Sequence, residues 1–262
     1  MAEVQIHPTA IVSPEVKFLG KARVGAYSIL DGKIEVAHDV SIAEHVLLKG
    51  TVSLGENVQL ESQVIVGAIA QILDDSGAGE VIVGKNTVIR EGTQVHRGSS
   101  RGNGKTIIGE NVFLMSQCHV GHDSIIEDEV IVATMTGLAG HSTIHQHALI
   151  SGACGIGQHV RVGAYSFSAG MTRIRKDVPP FMSVKEEGRV TSPNLVGLKR
   201  KGFSEEDLRM VKNIYKKCFL RGKSLKEGLA LLNETYQENG HFQYFKNFVE
   251  SSQAGLMRGA SS

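Results

Sequence analysis

VAHDVSIAEHVLLKGTVSLGENVQLESQVIV, residues 36–66, decides the fold. Val36, Ile42, Leu48, Leu54, Leu60 and Val66 stand six residues apart, and four places after each comes a small or β-branched residue: Val40, Val46, Val52, Val58, Val64 and Ala70. A helix repeats every 3.6 residues and a strand every two, so neither alone produces this period. A short strand followed by a turn does, and three such hexads close one coil of a parallel β-helix. Gly55-Glu56-Asn57 suits the corners, which favour residues that tolerate positive φ.

The same phase runs back through Leu30, Val24, Phe18 and Val12 to Ile6. It breaks after Ala70, resumes at Val83, Ile89 and Val95, and breaks again across Gly98 to Lys105. From Ile108 it is regular through Leu114, Val120, Ile126, Val132, Leu138, Ile144, Ile150, Ile156, Val162, Ser168 and Ile174. Val178-Pro179-Pro180 is expected to end the pattern, because proline cannot donate to a ladder. The 26 hexads make somewhat under nine coils, a prism about 40 Å long at about 4.8 Å per coil. The expected architecture is mainly β: a β-helix over residues 1–190, with loops near 70–82 and 98–106, then a helical domain over 191–262.

In that last part the period becomes helical. Ser204 caps a helix carrying Leu208, Val211, Ile214, Tyr215 and Cys218, with Gly222 as its stop. Ser224 caps a second helix with Leu225, Leu229 and Leu232, and a third spans His241 to about Ser251, with Phe242, Phe245, Phe248 and Val249 on one face. Lys199, Arg200, Lys201, Lys212, Lys216, Lys217, Arg221 and Lys223 make a basic cluster suited to an acidic protein or to phosphates.

The chain's 262 residues, 41% hydrophobic and 21% charged, are enough to bury a core in one or two domains. No run approaches the roughly 18 to 20 apolar residues of a membrane span, and no secretory signal opens the chain, so the expected location is the cytoplasm. A net charge of +1 argues against a nucleic-acid partner. Cys118, Cys154 and Cys218 have unrelated spacings and read as small, reduced, buried residues.

Candidate chemistry collects between Leu114 and His141, where the hexad rhythm carries His119, His122, Asp123 and His141. His141 follows Asp123 by 18 residues, one full coil, so the two should stack. An imidazole with an ordinary value near 6.5 is a natural general base.

The hexads, His119-Val-Gly-His122-Asp123, Leu138-Ala-Gly140-His141, Asp177-Val-Pro-Pro and Gly197-Leu-Lys-Arg200-Lys-Gly-Phe203 together resemble the UDP-N-acetylglucosamine O-acyltransferases that begin lipid A biosynthesis. The resemblance implies a left-handed β-helix, a homotrimer with active sites between subunits, and transfer of a (3-hydroxy)acyl group from acyl carrier protein to the sugar 3-hydroxyl. No cofactor or metal is implied beyond the carrier thioester. In that family His122 matches the general base, Asp123 the carboxylate that orients it, and Gly140 the amide that meets the oxyanion. His96, His119 and His141 match residues lining the cleft. Gln158, Asn194, Arg200 and Lys201 match nucleotide-binding positions, and Gly170 matches the hydrocarbon ruler.

The acceptor side departs from the family. Its first loop reads Gln-Asp-Leu-Lys, whereas this one reads Gln71-Ile72-Leu73-Asp74, with Asp75 next. Val196 replaces an acid, Gly157 a histidine, and Lys201 an arginine, losing bidentate phosphate geometry. This leaves a paralogue acting on another sugar nucleotide, such as a 3-amino sugar, as one alternative. A non-catalytic relative that binds acyl carrier protein or acyl chains is a second. A zinc enzyme like the γ-carbonic anhydrases is a third, although His119-x-x-His122 differs from that family's His-x4-His.

Overall fold

The computed structural model describes residues 3–185, 188–220 and 224–259. Among these, 28 short strands stack into three sheets, the faces of a prism, with 11, 9 and 8 members. Each hexad position falls in its own strand, from Ile6 in Val4–Ile6 to Ile174 in Arg173–Ile174. Pairing is parallel and mostly one coil out of step, as in Val40 against Ala22 and Gly137 against His119. Where the two loops leave the coil, the ladder closes over the gap: Leu60 still pairs with Ile89, and Val95 with Val120.

Val36, Ile42, Leu48 and Leu60, with Val46, Val52, Val58 and Val64 between them, are fully buried along the axis. Each contributes about 1.5–3 kcal/mol by leaving water. The coil turns at corners where non-glycine residues hold φ between +54 and +66. Asp123, His141 and His159 form one corner column, Glu129, His147 and Tyr165 a second, and Met135, Ala153 and Met171 a third, each stepping by 18 residues. None of these is β-branched, in keeping with the steric cost of that conformation.

The proline pair does not end the sheet. Met182–Lys185 adds one more parallel strand, with Val184 against Ser168, and Arg189–Pro193 then returns antiparallel to it. Pro179 and Pro180 lie in the connection, where no ladder donor is required. The parallel faces therefore hold ten, nine and eight strands, one strand more than the hexads alone indicate.

Four helices follow: α1 (Leu195–Arg200), α2 (Glu205–Ile214), α3 (Leu225–Tyr236) and α4 (Gly240–Glu250). Ser204 and Ser224 cap α2 and α3 as expected, and Asn239 caps α4. Beyond Ile214 the helix widens into a π turn, Tyr215–Phe219, that buries Cys218 and Phe219. The expected stop at Gly222, and Arg221 and Lys223 of the basic cluster, lie outside the described residues. No described helix is long and apolar enough to cross a membrane.

Asp177 fastens the helices to the prism. Its buried carboxylate accepts bonds from Arg161 N at 2.8 Å, Arg161 Nε and Nη2 at 2.9 and 2.7 Å, and Ser252 Oγ at 2.9 Å. Arg161 also donates to Phe248 O and lies 4.3 Å over the Phe248 ring. Around this junction Phe181, Phe203, His241 and Tyr244 pack ring on ring.

Candidate active site

A cleft of about 470 Å³ opens where the corner after His119–Val120 meets the first loop. Gln71, Ile72, His96, His119, His122, Gly140 and Gln158 line it, so three candidate histidines and the loop converge on one surface, whereas His141, expected there too, is not among the lining residues and packs against His122. His122 Nδ1 lies 2.8 Å from Asp123 Oδ2. A carboxylate only accepts, so Nδ1 carries a proton, and in the neutral ring the lone pair is then on Nε2.

Asp123 is held from three sides. Ser99 donates to Oδ2 through its backbone N at 3.0 Å and its hydroxyl at 2.6 Å, Gly104 N donates to Oδ1 at 3.0 Å, and His122 supplies the fourth bond. Burial works against ionisation, and the bonds from Ser99, His122 and Gly104 outweigh it, so the carboxyl lies below the ordinary aspartate value. The corner column does the placing: His141 stacks one coil above Asp123, its Nε2 3.9 Å from Oδ2, edge-on to His122 at 5.0 Å between ring centres. Burial pushes His141 below the ordinary imidazole value, against the pull of Asp123. Burial, with His96 beside it, does the same to His119.

His96 donates Nδ1 to Ile69 O at 2.7 Å and leaves Nε2 buried without a partner among the described residues. Gly140 makes room for the His122 ring: a Cβ there would lie 2.6 Å from His122 Cε1 and Nε2. Some corner amides are taken up by side chains, Glu110 N by Asp128 and Gln146 N by Glu127. Gly140 N, like several corner amides, has no acceptor among the described residues, and it is one that lines the cleft together with His122.

The remaining candidates lie elsewhere. Asn194, Arg200 and Lys201 line a second cavity of about 690 Å³ at the corner of Glu129, His147 and Tyr165, across the eight-stranded face from the first. Asn194 caps α1 by accepting from Gly197 N at 3.2 Å and donates to Tyr165 O at 2.9 Å, while Lys201 Nζ meets Glu129 Oε2 at 2.6 Å. Both side chains thus have structural partners in addition to facing the cavity. Gly170 sits over Gly152 at the third corner, in neither cavity, with Met171 80% exposed beside it. Gly137 and Gly155 leave open space along the nine-stranded face above His119.

The structure adds Ser99, Gly104 and His159 to the residues that the sequence singles out. His159 stacks on His141 at 4.6 Å, and the 18-residue step from Asp123 through His141 points to it. The three cysteines are free and buried as expected, and burial raises their thiols, that of Cys218 to about 12. Ligand atoms of His122, Asp123 and His141 lie within 4.8 Å of one another, but His122 and Asp123 already satisfy each other through Nδ1.

The sequence is 32% identical over 255 residues to an acyl-[acyl-carrier-protein]–UDP-N-acetylglucosamine O-acyltransferase of Stutzerimonas stutzeri, covering 97% of this chain and 99% of that one. The chain belongs to the UDP-N-acetylglucosamine O-acyltransferase family. Residues 177–257 of this acyltransferase match the second domain of that family, described as Udp N-acetylglucosamine O-acyltransferase; Domain 2, and residues 105–140 match the bacterial transferase hexapeptide repeat. Its fold superposes on the UDP-N-acetylglucosamine acyltransferases of Bacteroides fragilis, with TM-score 0.93 and 28% identity over 96% of this chain and 99% of that one, and of Francisella novicida, with TM-score 0.92 and 28% identity over 97% and 94%.

Proposed function

We infer that this acyltransferase moves a (3-hydroxy)acyl group from the thioester of acyl carrier protein to the 3-hydroxyl of UDP-N-acetylglucosamine, the opening step of lipid A biosynthesis. The carrying observation is the His122–Asp123 pair set against the free Gly140 amide inside the cleft. His122 Nε2 takes the hydroxyl proton as the sugar oxygen attacks the thioester carbon. Gly140 N–H steadies the oxyanion, the C–S bond breaks, and the protonated His122 returns its proton to the departing thiolate. No step calls for a metal or cofactor. The acyl tail runs from the cleft along the open surface at Gly137 and Gly155 toward the corner of Gly152 and Gly170.

Two observations support a homotrimer. Three of the four nucleotide-matching residues, Asn194, Arg200 and Lys201, sit at a different corner from His122, and only Gln158 shares its cleft, so a second copy is needed to bring the halves together. Along the longest face, Val88, Phe113, Ile131, Leu149 and Phe167 align in register as a half-buried apolar stripe suited to packing copies about a threefold axis. A reaction between acyl carrier protein and a sugar nucleotide suits the cytoplasm.

One observation favours a second acceptor: Ile72 faces the cleft where the family carries a carboxylate. A 3-amino sugar nucleotide, giving an amide, is that alternative. Thioester turnover with UDP-N-acetylglucosamine and its 3-amino analogue in competition tests the choice. Preferential ester formation supports the main reading, preferential amide formation replaces it, and no product with either sinks both.

A further inference from the structure

The two loops that leave the coil cross each other at the catalytic carboxylate. The first, residues 69–79, presents Gln71 and Ile72 to the cleft. The second, residues 97–104, carries Ser99 and Ser100 side by side. Ser100 donates to Asp75 Oδ1 through its backbone N and its hydroxyl, both at 2.9 Å, while Asp75 Oδ2 accepts from Gly77 N at 3.0 Å. One residue earlier, Ser99 donates twice to Asp123, at 3.0 and 2.6 Å. Gly104 N reaches the other Asp123 oxygen, and Gly104 O accepts from Glu80 N at the end of the first loop at 2.9 Å.

Glycines permit the crossing. A Cβ at Gly79 would strike Gly98, one at Gly98 would strike Gly104, and one at Gly102 would strike the Asp123 carboxylate. The second loop therefore lies directly over that carboxylate, and its other side grips the first loop. The Arg97 guanidinium beneath fills the space left by Gly50 and Gly77, and His96 holds Ile69 O.

We propose that Ser99 and Ser100 couple the acceptor-facing loop to the catalytic pair, Ser100 fixing the first loop through Asp75 and Ser99 fixing Asp123. Both are positioning residues. The coupling rests on the acyltransferase reading above and adds to it that the acceptor loop and the base are set by one two-residue hinge point. Because Asp75 already accepts three bonds in holding this crossing, the coupling assigns it to the loop junction and not to the place of the sugar-contacting carboxylate missing from Ile72.

Ser100 is exposed, so Ser100→Ala should fold normally. In the full-length protein, with acyl carrier protein thioester and UDP-N-acetylglucosamine, Ser100→Ala and Asp75→Asn are expected to raise the acceptor KM about tenfold. The thioester KM should be unchanged, and Ser100→Thr should restore the acceptor KM. Ser99→Ala is expected to lower kcat and shift the ascending limb of the pH profile, with the acceptor KM less affected. Hydrogen exchange at the Ser99 and Gly104 amides should accelerate about tenfold or more in Ser100→Ala. Wild-type acceptor KM in Ser100→Ala, or wild-type exchange at those amides, overturns the coupling. Accelerated exchange in a protein that transfers no acyl group overturns the acyltransferase reading and upholds the coupling.

Discussion

At the scale of single residues, the site depends on where a few protons and one missing side chain lie. Gly140→Ala would drive a methyl group into the His122 ring, and a drop in kcat on the order of 10²- to 10³-fold is expected with the fold intact. Steady-state kinetics alongside a circular dichroism melt separates the two effects. The groups of the cleft also contribute to how stability responds to acid. His119, His141 and Asp123 all lie below their ordinary values, so in each case the folded chain binds fewer protons than the unfolded one. Stability is then complete above about pH 6.5, declines as the unfolded histidines protonate, and falls again below about pH 4, where unfolded aspartate takes up its proton. Denaturant unfolding between about pH 3 and pH 8 measures this, and Asp123→Asn should make the lower step shallower, the remainder coming from other depressed carboxyls such as Glu91. A flat profile across that range would contradict the assignment.

At the scale of elements, the coil is readable because its signal is strictly periodic: every hexad residue from Ile6 to Ile174 falls in a strand of its own. The same period stacks His141 on Asp123 from the sequence alone. What a period cannot supply is the path of the segments that leave it. Position 105, one coil before Asp123, is where the second loop rejoins the prism, so that loop has to cross the carboxylate, yet nothing in a Gly/Ser/Arg/Asn run says which atoms it offers. Only the fold brings Ser99 and Gly104 to it. Likewise Val184 is out of phase with Ile174 across the proline pair, which hides the last parallel strand. Helix α1 has six residues, too few to show a period, so the sequence marks Asn194 as a ligand-facing residue and not as a cap. The axial core yields its own test: Leu48→Ala, at a fully buried position, is expected to cost about 2–5 kcal/mol in urea unfolding.

At the scale of the whole molecule, two junctions matter. Asp177 joins prism to helices, and truncating it leaves Arg161 partly buried without its partner. Asp177→Ala should destabilise by about 3–5 kcal/mol, seen as a lowered midpoint or a separate early transition of the helical part. Unchanged unfolding would show that the helices dock without it. The other junction is the proposed one between copies, where the base at one corner of one subunit meets the cavity of Arg200 on the next. Subunits carrying His122→Ala and subunits carrying Arg200→Ala should each be nearly inactive alone when assayed with acyl carrier protein thioester and UDP-N-acetylglucosamine. Unfolded together in equal amounts and refolded, they should regain about a quarter of wild-type turnover, the share of sites in a random trimer that combine an intact His122 with an intact Arg200. Full activity of His122→Ala alone, or no recovery on mixing, would contradict the account.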